Sequence, residues 1–178
     1  MRNMSYLRKV SCAVACILGA TCVAAQETPQ LGVPVSAADA AAWDISIAPD
    51  GAALPAGSGT AMQGKAIYES KCIACHGADG QGQLNDRLAG GHGTLTSDNP
   101  VKTIGSYWPY ATTVFDYVRR AMPLTQPMSL TDDEAYALTA YLLAVNGVIA
   151  ENDVMNATTL PRVEMPNRDH FVWAYKAP

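Results

Sequence analysis

Two thiols and an imidazole stand within five positions, at Cys72, Cys75 and His76 of the stretch KCIACHG. Three chemistries use such a set. A redox dithiol of the thioredoxin type expects a βαβ setting around the motif, and none is legible here. A structural zinc site needs a fourth ligand; the other histidines, His92 and His170, sit in no C-x-x-C or H-x-x-x-H partner motif. Covalent haem uses all three residues: each thiol adds to a vinyl group and the following histidine binds the iron. One helical turn places both sulfurs at the porphyrin edge and the imidazole beneath the iron. The motif is therefore read as a haem c attachment site, with Cys72 and Cys75 as thioether donors and His76 as an axial ligand.

An electron-carrying haem then needs a soft sixth ligand, ordinarily methionine. Five methionines lie beyond residue 25: Met62, Met122, Met128, Met155 and Met165. Met62 precedes the motif on the same helix and is expected in the core, the ordinary use of a helical methionine. Met155 and Met165 fall in a tail without pattern. Met122 continues an apolar helical stripe four residues after Val118, and Pro123 forces it out of helical geometry. It is the expected ligand, with Met128 as the fallback. Tyr107 and Trp108, with Tyr110 nearby, are candidates for haem contacts; core packing explains each equally well taken singly. His92, in GGHGT, reads as an exposed loop histidine rather than a ligand. Arg119 and Arg120 read as solvated surface, with propionates or partner acids as the alternative.

Covalent haem attachment requires export, and the first 25 residues supply a signal for it. Arg2, Arg8 and Lys9 precede the apolar run Val10–Val23, and Val23-Ala24-Ala25 is a small-residue cleavage site. Residues 1–25 therefore read as a secretory signal peptide and the mature chain as periplasmic. A retained anchor is the alternative; no apolar run long enough to span a bilayer follows. Cleavage removes Cys12, Cys16 and Cys22, leaving Cys72 and Cys75. It also removes three of the 12 basic residues, leaving nine against 16 acids, a net charge of −7. Such a chain is no nucleic-acid binder; basic protein surfaces complement it.

Three helices must position these groups. Thr60-Ala61-Met62-Gln63 is a capping box, and Ala61, Gly64, Tyr68 and Cys72 recur at helical spacing. A second helix starts near Pro109 with the stripe Ala111, Val114, Phe115 and Val118. A third opens on the capping box Thr131-Asp132-Asp133-Glu134, stops at Asn146-Gly147 and is apolar on more than one side. Residues 26–59 read as an extended N-terminal arm anchored by Trp43, or as a disordered leader. Residues 60–147 form the domain, and 148–178 a C-terminal extension that packs back or docks on a partner. The glycine-rich stretch 77–108 is long for a compact domain and is expected to enclose the haem edge. The fold class is all-α with long loops.

Through Cys72-Ile73-Ala74-Cys75-His76-Gly77, Met122-Pro123 and the last, aromatic-rich helix, the chain resembles a class I cytochrome c. That resemblance implies crossed first and last helices, with Gly64 and Tyr68 against Leu138 and Tyr141, around one covalently attached haem. AAWDISIAPDGAALPAGSG, TIGSYWPYATTVFDYVRRAMP, SLTDDEAYALTAYLLAVNG and LPRVEMPNRDHFV resemble cytochrome subunits of bacterial sulfite dehydrogenases and the haem domain of SoxD-type sulfur-oxidation cytochromes. In those systems a molybdenum-cofactor subunit oxidises the sulfur compound and the cytochrome takes the electrons singly. Two departures stand out: SoxD-type chains are longer with two haem motifs, and simple sulfite-dehydrogenase cytochromes lack so long an arm.

The resemblance implies a monohaem electron carrier that does no bond chemistry itself. Its partners would be a molybdopterin sulfite-oxidising subunit and a downstream cytochrome or oxidase. The alternatives are a free-standing carrier for another respiratory enzyme, or a peroxidase-type haem enzyme with His92 as its distal group.

Overall fold

The computed structural model describes residues 31–172 and Ala174. The expected signal peptide, its three cysteines and Trp173 lie outside the described residues. By compactness the chain divides after Ala41. Ser36 starts a short helix, α1 (Ala37–Trp43), by accepting a hydrogen bond from the Asp39 amide. The arm is thus helical at this point rather than extended.

The second unit, residues 42–178, holds the remaining elements. They are β1 (Ser58–Thr60), α2 (Ala61–Lys71), α3 (Ile73–His76), α4 (Ala111–Ala121), α5 (Asp132–Val145) and β2 (Val154–Asn156). The class is helical, as expected, with one two-stranded antiparallel ribbon added. It pairs Ser58 with Asn156, Gly59 with Met155 and Thr60 with Val154.

Both capping boxes form. Thr60 and Gln63 exchange side-chain and backbone hydrogen bonds at the start of α2, and Thr131 and Glu134 do so at α5. Each satisfies two amides that a helix start otherwise leaves unpaired. Helix α4 begins at Ala111 behind Tyr110, so Pro109 precedes the helix rather than occupying its first turn. Its stripe is buried as expected: Ala111, Val114, Phe115 and Val118 all face the core.

Helices α2 and α5 cross at Gly64. A Cβ there would run into the Ala137 carbonyl and approach Tyr141 Cβ at 2.8 Å. The crossing expected from the resemblance is present, with Ala137 rather than Leu138 meeting the glycine. Tyr68 packs on Tyr141 with ring centroids 5.0 Å apart, and Phe115 on Tyr136 at 4.3 Å. Helix α5 is buried from Ala135 to Leu143, which explains why its sequence is apolar all round.

The flanking segments belong to this packing. Ile47 is buried, Thr112 Oγ1 donates to Pro49 O at 2.9 Å and the Tyr136 hydroxyl donates to Pro55 O at 2.8 Å. Trp43, the expected anchor, is 87% exposed; Ile47 takes that place. In the C-terminal extension Met155, Leu160 and Met165 are buried, while Val172 is 90% exposed. The extension therefore packs on its own domain, and beyond Met165 Asn167 Nδ2 still donates to Tyr107 O at 2.8 Å. Met62, expected in the core, is 74% exposed on the outer side of α2.

Candidate functional site

Helix α2 ends at Lys71, and Cys72 caps it by donating its amide to Tyr68 O. Cys72 leaves helical geometry (φ −125°, ψ −30°), and the chain restarts as the single turn Ile73–His76. That turn closes on Gly77, whose φ of 79° suits glycine and reverses the chain after the imidazole. The buried Tyr68 hydroxyl donates to Gly77 O at 2.8 Å, tying the turn to α2. Desolvation pushes that phenol up to about 12, so it stays a donor at every physiological pH.

Cys72 and Cys75 are free thiols, both half-buried. Burial pushes the Cys72 thiol up to about 11, against the opposing charge of Lys71 and with that of Cys75. The imidazole is held on one side only. His76 Nδ1 lies 2.8 Å from the Asp86 carbonyl, which can only accept, so Nδ1 carries the proton. The Nε2 lone pair is thereby left free to bind a metal. The next loop is laced to the turn by Asn85 N–H to Cys75 O and Gly82 N–H to His76 O, both 2.8 Å.

Met122 follows α4 with extended backbone (φ −118°, ψ 146°), released from the helix at Pro123 as the sequence implies. It is half-buried, and its peptide bond to Pro123 is cis. Met128 is 52% exposed with a φ of 63°.

The remaining sequence candidates are placed as follows. Trp108 stands edge-on to Tyr117 at 5.8 Å, and Tyr107 edge-on to Phe171 at 5.4 Å with Lys102 over its ring. Arg119 pairs with Asp132 at 2.7 Å and Arg120 with Asp116 at 2.6 Å, so both guanidinium groups are used within the domain. His92 is exposed and lines a cavity of about 530 Å³ with Lys102, Tyr107 and His170; none of Cys72, Cys75, His76 and Met122 borders it. Among the described residues no group of three His, Cys, Asp or Glu could hold a metal ion, so the zinc alternative lacks its ligands. Sequence reasoning missed Asp86, whose backbone carbonyl orients the imidazole. A carbonyl carries no residue-type signal.

A family model described as cytochrome c matches residues 61–146. The crystal structure of the sulfane dehydrogenase SoxCD from Paracoccus pantotrophus contains a chain 41% identical to this one. It superposes with a TM-score of 0.74 over 82% of this chain and 72% of that chain. This chain belongs to the cytochrome c family. Curated relatives of this cytochrome include thiosulfate dehydrogenases of Allochromatium vinosum, Psychrobacter arcticus and Stutzerimonas stutzeri, each 32% identical. The matches cover 46%, 44% and 49% of this chain but only 30%, 24% and 28% of theirs, so it spans about a quarter to a third of their length.

Membership of the family implies a covalently bound haem c. The donor set fits that group: two unpaired thiols three residues apart, and an imidazole whose tautomer leaves Nε2 free. Both the expected cofactor and the class I cytochrome c fold thus agree with the family. As an electron carrier, this cytochrome is related to those of sulfur-oxidising dehydrogenases.

Proposed function

We propose that this is a periplasmic monohaem cytochrome and the electron-accepting subunit or partner of a molybdenum dehydrogenase that oxidises sulfite or a related sulfur compound. Cys72 and Cys75 carry the haem by thioether bonds, and His76 and Met122 take the two axial positions, with Met128 as the fallback. Residues 1–25 direct export, and residues 60–147 form the haem-bearing domain. Bound haem supplies reversible one-electron chemistry. The chain's own part is to hold and tune it. The His76 Nδ1–H bond to Asp86 O fixes the ring and raises its basicity, which favours ferric iron. A Met122 thioether opposes it by favouring ferrous iron. With both positions taken by side chains, substrate is kept from the iron and the protein acts as a carrier.

The observation that supports the sulfur reading is the 41% identity to a chain of sulfane dehydrogenase over 72% of that chain. The downstream acceptor is a further cytochrome or an oxidase. The test mixes the purified holoprotein with sulfite, with and without a sulfite-oxidising molybdenum dehydrogenase. Reduction that requires the dehydrogenase supports the proposal. Reduction by neither, while a chemical reductant works, leaves a carrier for another respiratory enzyme.

The thiosulfate dehydrogenase relatives favour a second reading, in which thiosulfate itself delivers electrons to this haem. Rapid reduction by thiosulfate alone selects it. The peroxidase-type alternative needs His92 over the iron, and its exposed place beside a separate cavity does not favour it.

A further inference from the structure

Asn146, the residue after α5, is 4% exposed and uses its whole amide. Its Oδ1 accepts from Gly90 N–H at 3.0 Å. Its Nδ2 donates to Leu88 O at 3.2 Å and to Leu142 O at 2.8 Å. Turning the amide over would set its NH₂ against an N–H and its oxygen against two carbonyls, so one orientation alone is satisfied. Gly105 leaves the room: a Cβ there would meet Asn146 Cβ and Cγ at 2.7 Å.

The loop that Asn146 grips is the loop that holds the imidazole. Asp86, whose carbonyl accepts from His76 Nδ1, stands two residues before Leu88. The loop has other supports along this stretch: Arg87 Nε donates to Gln81 O at 3.1 Å and Ile104 N–H to Leu88 O at 3.2 Å. Leu88 N and Ala89 N donate to Gly80 O at 2.7 and 3.0 Å, and Asn85 N donates to Cys75 O. On its far side Thr103 Oγ1 donates to Gly90 O. The last helix thus reaches the haem-attachment turn through one side chain and three loop residues, Asp86 to Leu88. We propose that Asn146 is a positioning residue for the axial histidine, holding Asp86 O at hydrogen-bonding distance from His76 Nδ1 and so lowering the reduction potential of the haem. The proposal rests on the reading of His76 as an axial ligand.

The sign of the effect separates positioning from simple damage. Losing the grip on Leu88 and Gly90 lets the Asp86 carbonyl drift, weakens the Nδ1–H bond and makes the imidazole a poorer donor to ferric iron, so the potential rises. A loosened domain that merely admits water stabilises the more charged ferric state and lowers the potential.

The experiment compares wild-type and Asn146→Ala holoprotein labelled with ¹⁵N-histidine, by nuclear magnetic resonance and potentiometry. A hyperfine-shifted ring at His76 in the wild type establishes the axial ligand; a shift at His92 or His170 instead refutes that reading, and this one with it. Given the His76 shift, the variant should exchange its Nδ1 proton roughly tenfold faster or more, since the two hydrogen bonds of Asn146 to the loop are lost, with a raised potential. An unchanged exchange rate, or an unchanged or lowered potential, overturns the positioning role alone. If the variant does not fold, the wild type still decides. Equal exchange protection of the His76 Nδ1 proton and the Gly90 amide shows one cooperative unit, and unequal protection contradicts the proposal.

Discussion

Gly64 of α2 lies against the backbone carbonyl of Ala137 in α5, with no side chain between the two helices at that point. The contact joins the helix that delivers Cys72 to the helix that ends at Asn146, so the attachment turn is registered on the core through backbone. Gly64→Ala gains up to about 1 kcal/mol of helix propensity. It also forces a methyl into atoms that cannot rotate away, and overpacking of this kind costs typically 1–3 kcal/mol and sometimes more. With that cost at the top of its range, because the blocking atoms are backbone, the expected net loss is about 2 kcal/mol or more in guanidinium unfolding, against less than about 0.5 kcal/mol for the exposed Lys65→Ala. Unchanged stability in Gly64→Ala would show that the helices do not meet as described.

Glu134 carries a pH dependence. Its hydrogen bond to Lys71 Nζ at 2.7 Å, with the Thr131 amide second, holds its carboxyl below the ordinary carboxylate range in the folded state. A depressed folded value means stabilisation that is complete above the unfolded value and lost as pH falls through the folded one. Glu134→Gln keeps the capping box but removes the charge. It should cost about 0.5–1 kcal/mol at neutral pH. The difference should narrow as pH falls below the ordinary carboxylate range and shrink with added salt. Thermal melts of both proteins from pH 3 to 8 provide the check; a constant gap would place the effect outside the charge.

The C-terminal extension is integral to the fold through the buried Met165, keeps contact with Tyr107 through Asn167 and Phe171, and is exposed at Val172. Leu160 is 1% exposed, so Leu160→Ala should lose about 2–4 kcal/mol. Val172→Ser, at a 90% exposed site, should change stability by less than about 0.5 kcal/mol. Denaturant midpoints for the two variants distinguish a packed tail from a loose one, which would be indifferent to both.

Local signals in the sequence carried much of this. Thr60–Gln63 and Thr131–Glu134 set two helix starts because capping is decided within four residues. Pro123 likewise marks the release of Met122, because a proline restricts its immediate neighbour. What stayed hidden depends on distant pairing. The β1–β2 ribbon joins three-residue strands almost a hundred positions apart, too short for alternation to register. Trp43 looked like the arm's anchor by size, yet the smaller Ile47 lies where the core has room. Met62 and Met155 exchange expectations for the same reason: burial follows which face meets α5 and which strand pairs with Gly59. The Asp86 carbonyl and the grip of Asn146 are matters of loop path, which composition does not encode.

The central claim, that His76 and Met122 hold the iron of a haem bound through Cys72 and Cys75, is tested most directly by the sulfur–iron charge-transfer band of the ferric protein. It should be measured in wild type, Met122→Ala and Met128→Ala, with the haem shown to resist acid-acetone extraction. The band should be present in wild type and Met128→Ala and absent in Met122→Ala, with a lower potential in the last because thioether ligation favours ferrous iron. A band that survives in Met122→Ala and disappears in Met128→Ala would contradict the ligand assignment, and haem that extracts freely from the wild type would contradict covalent attachment.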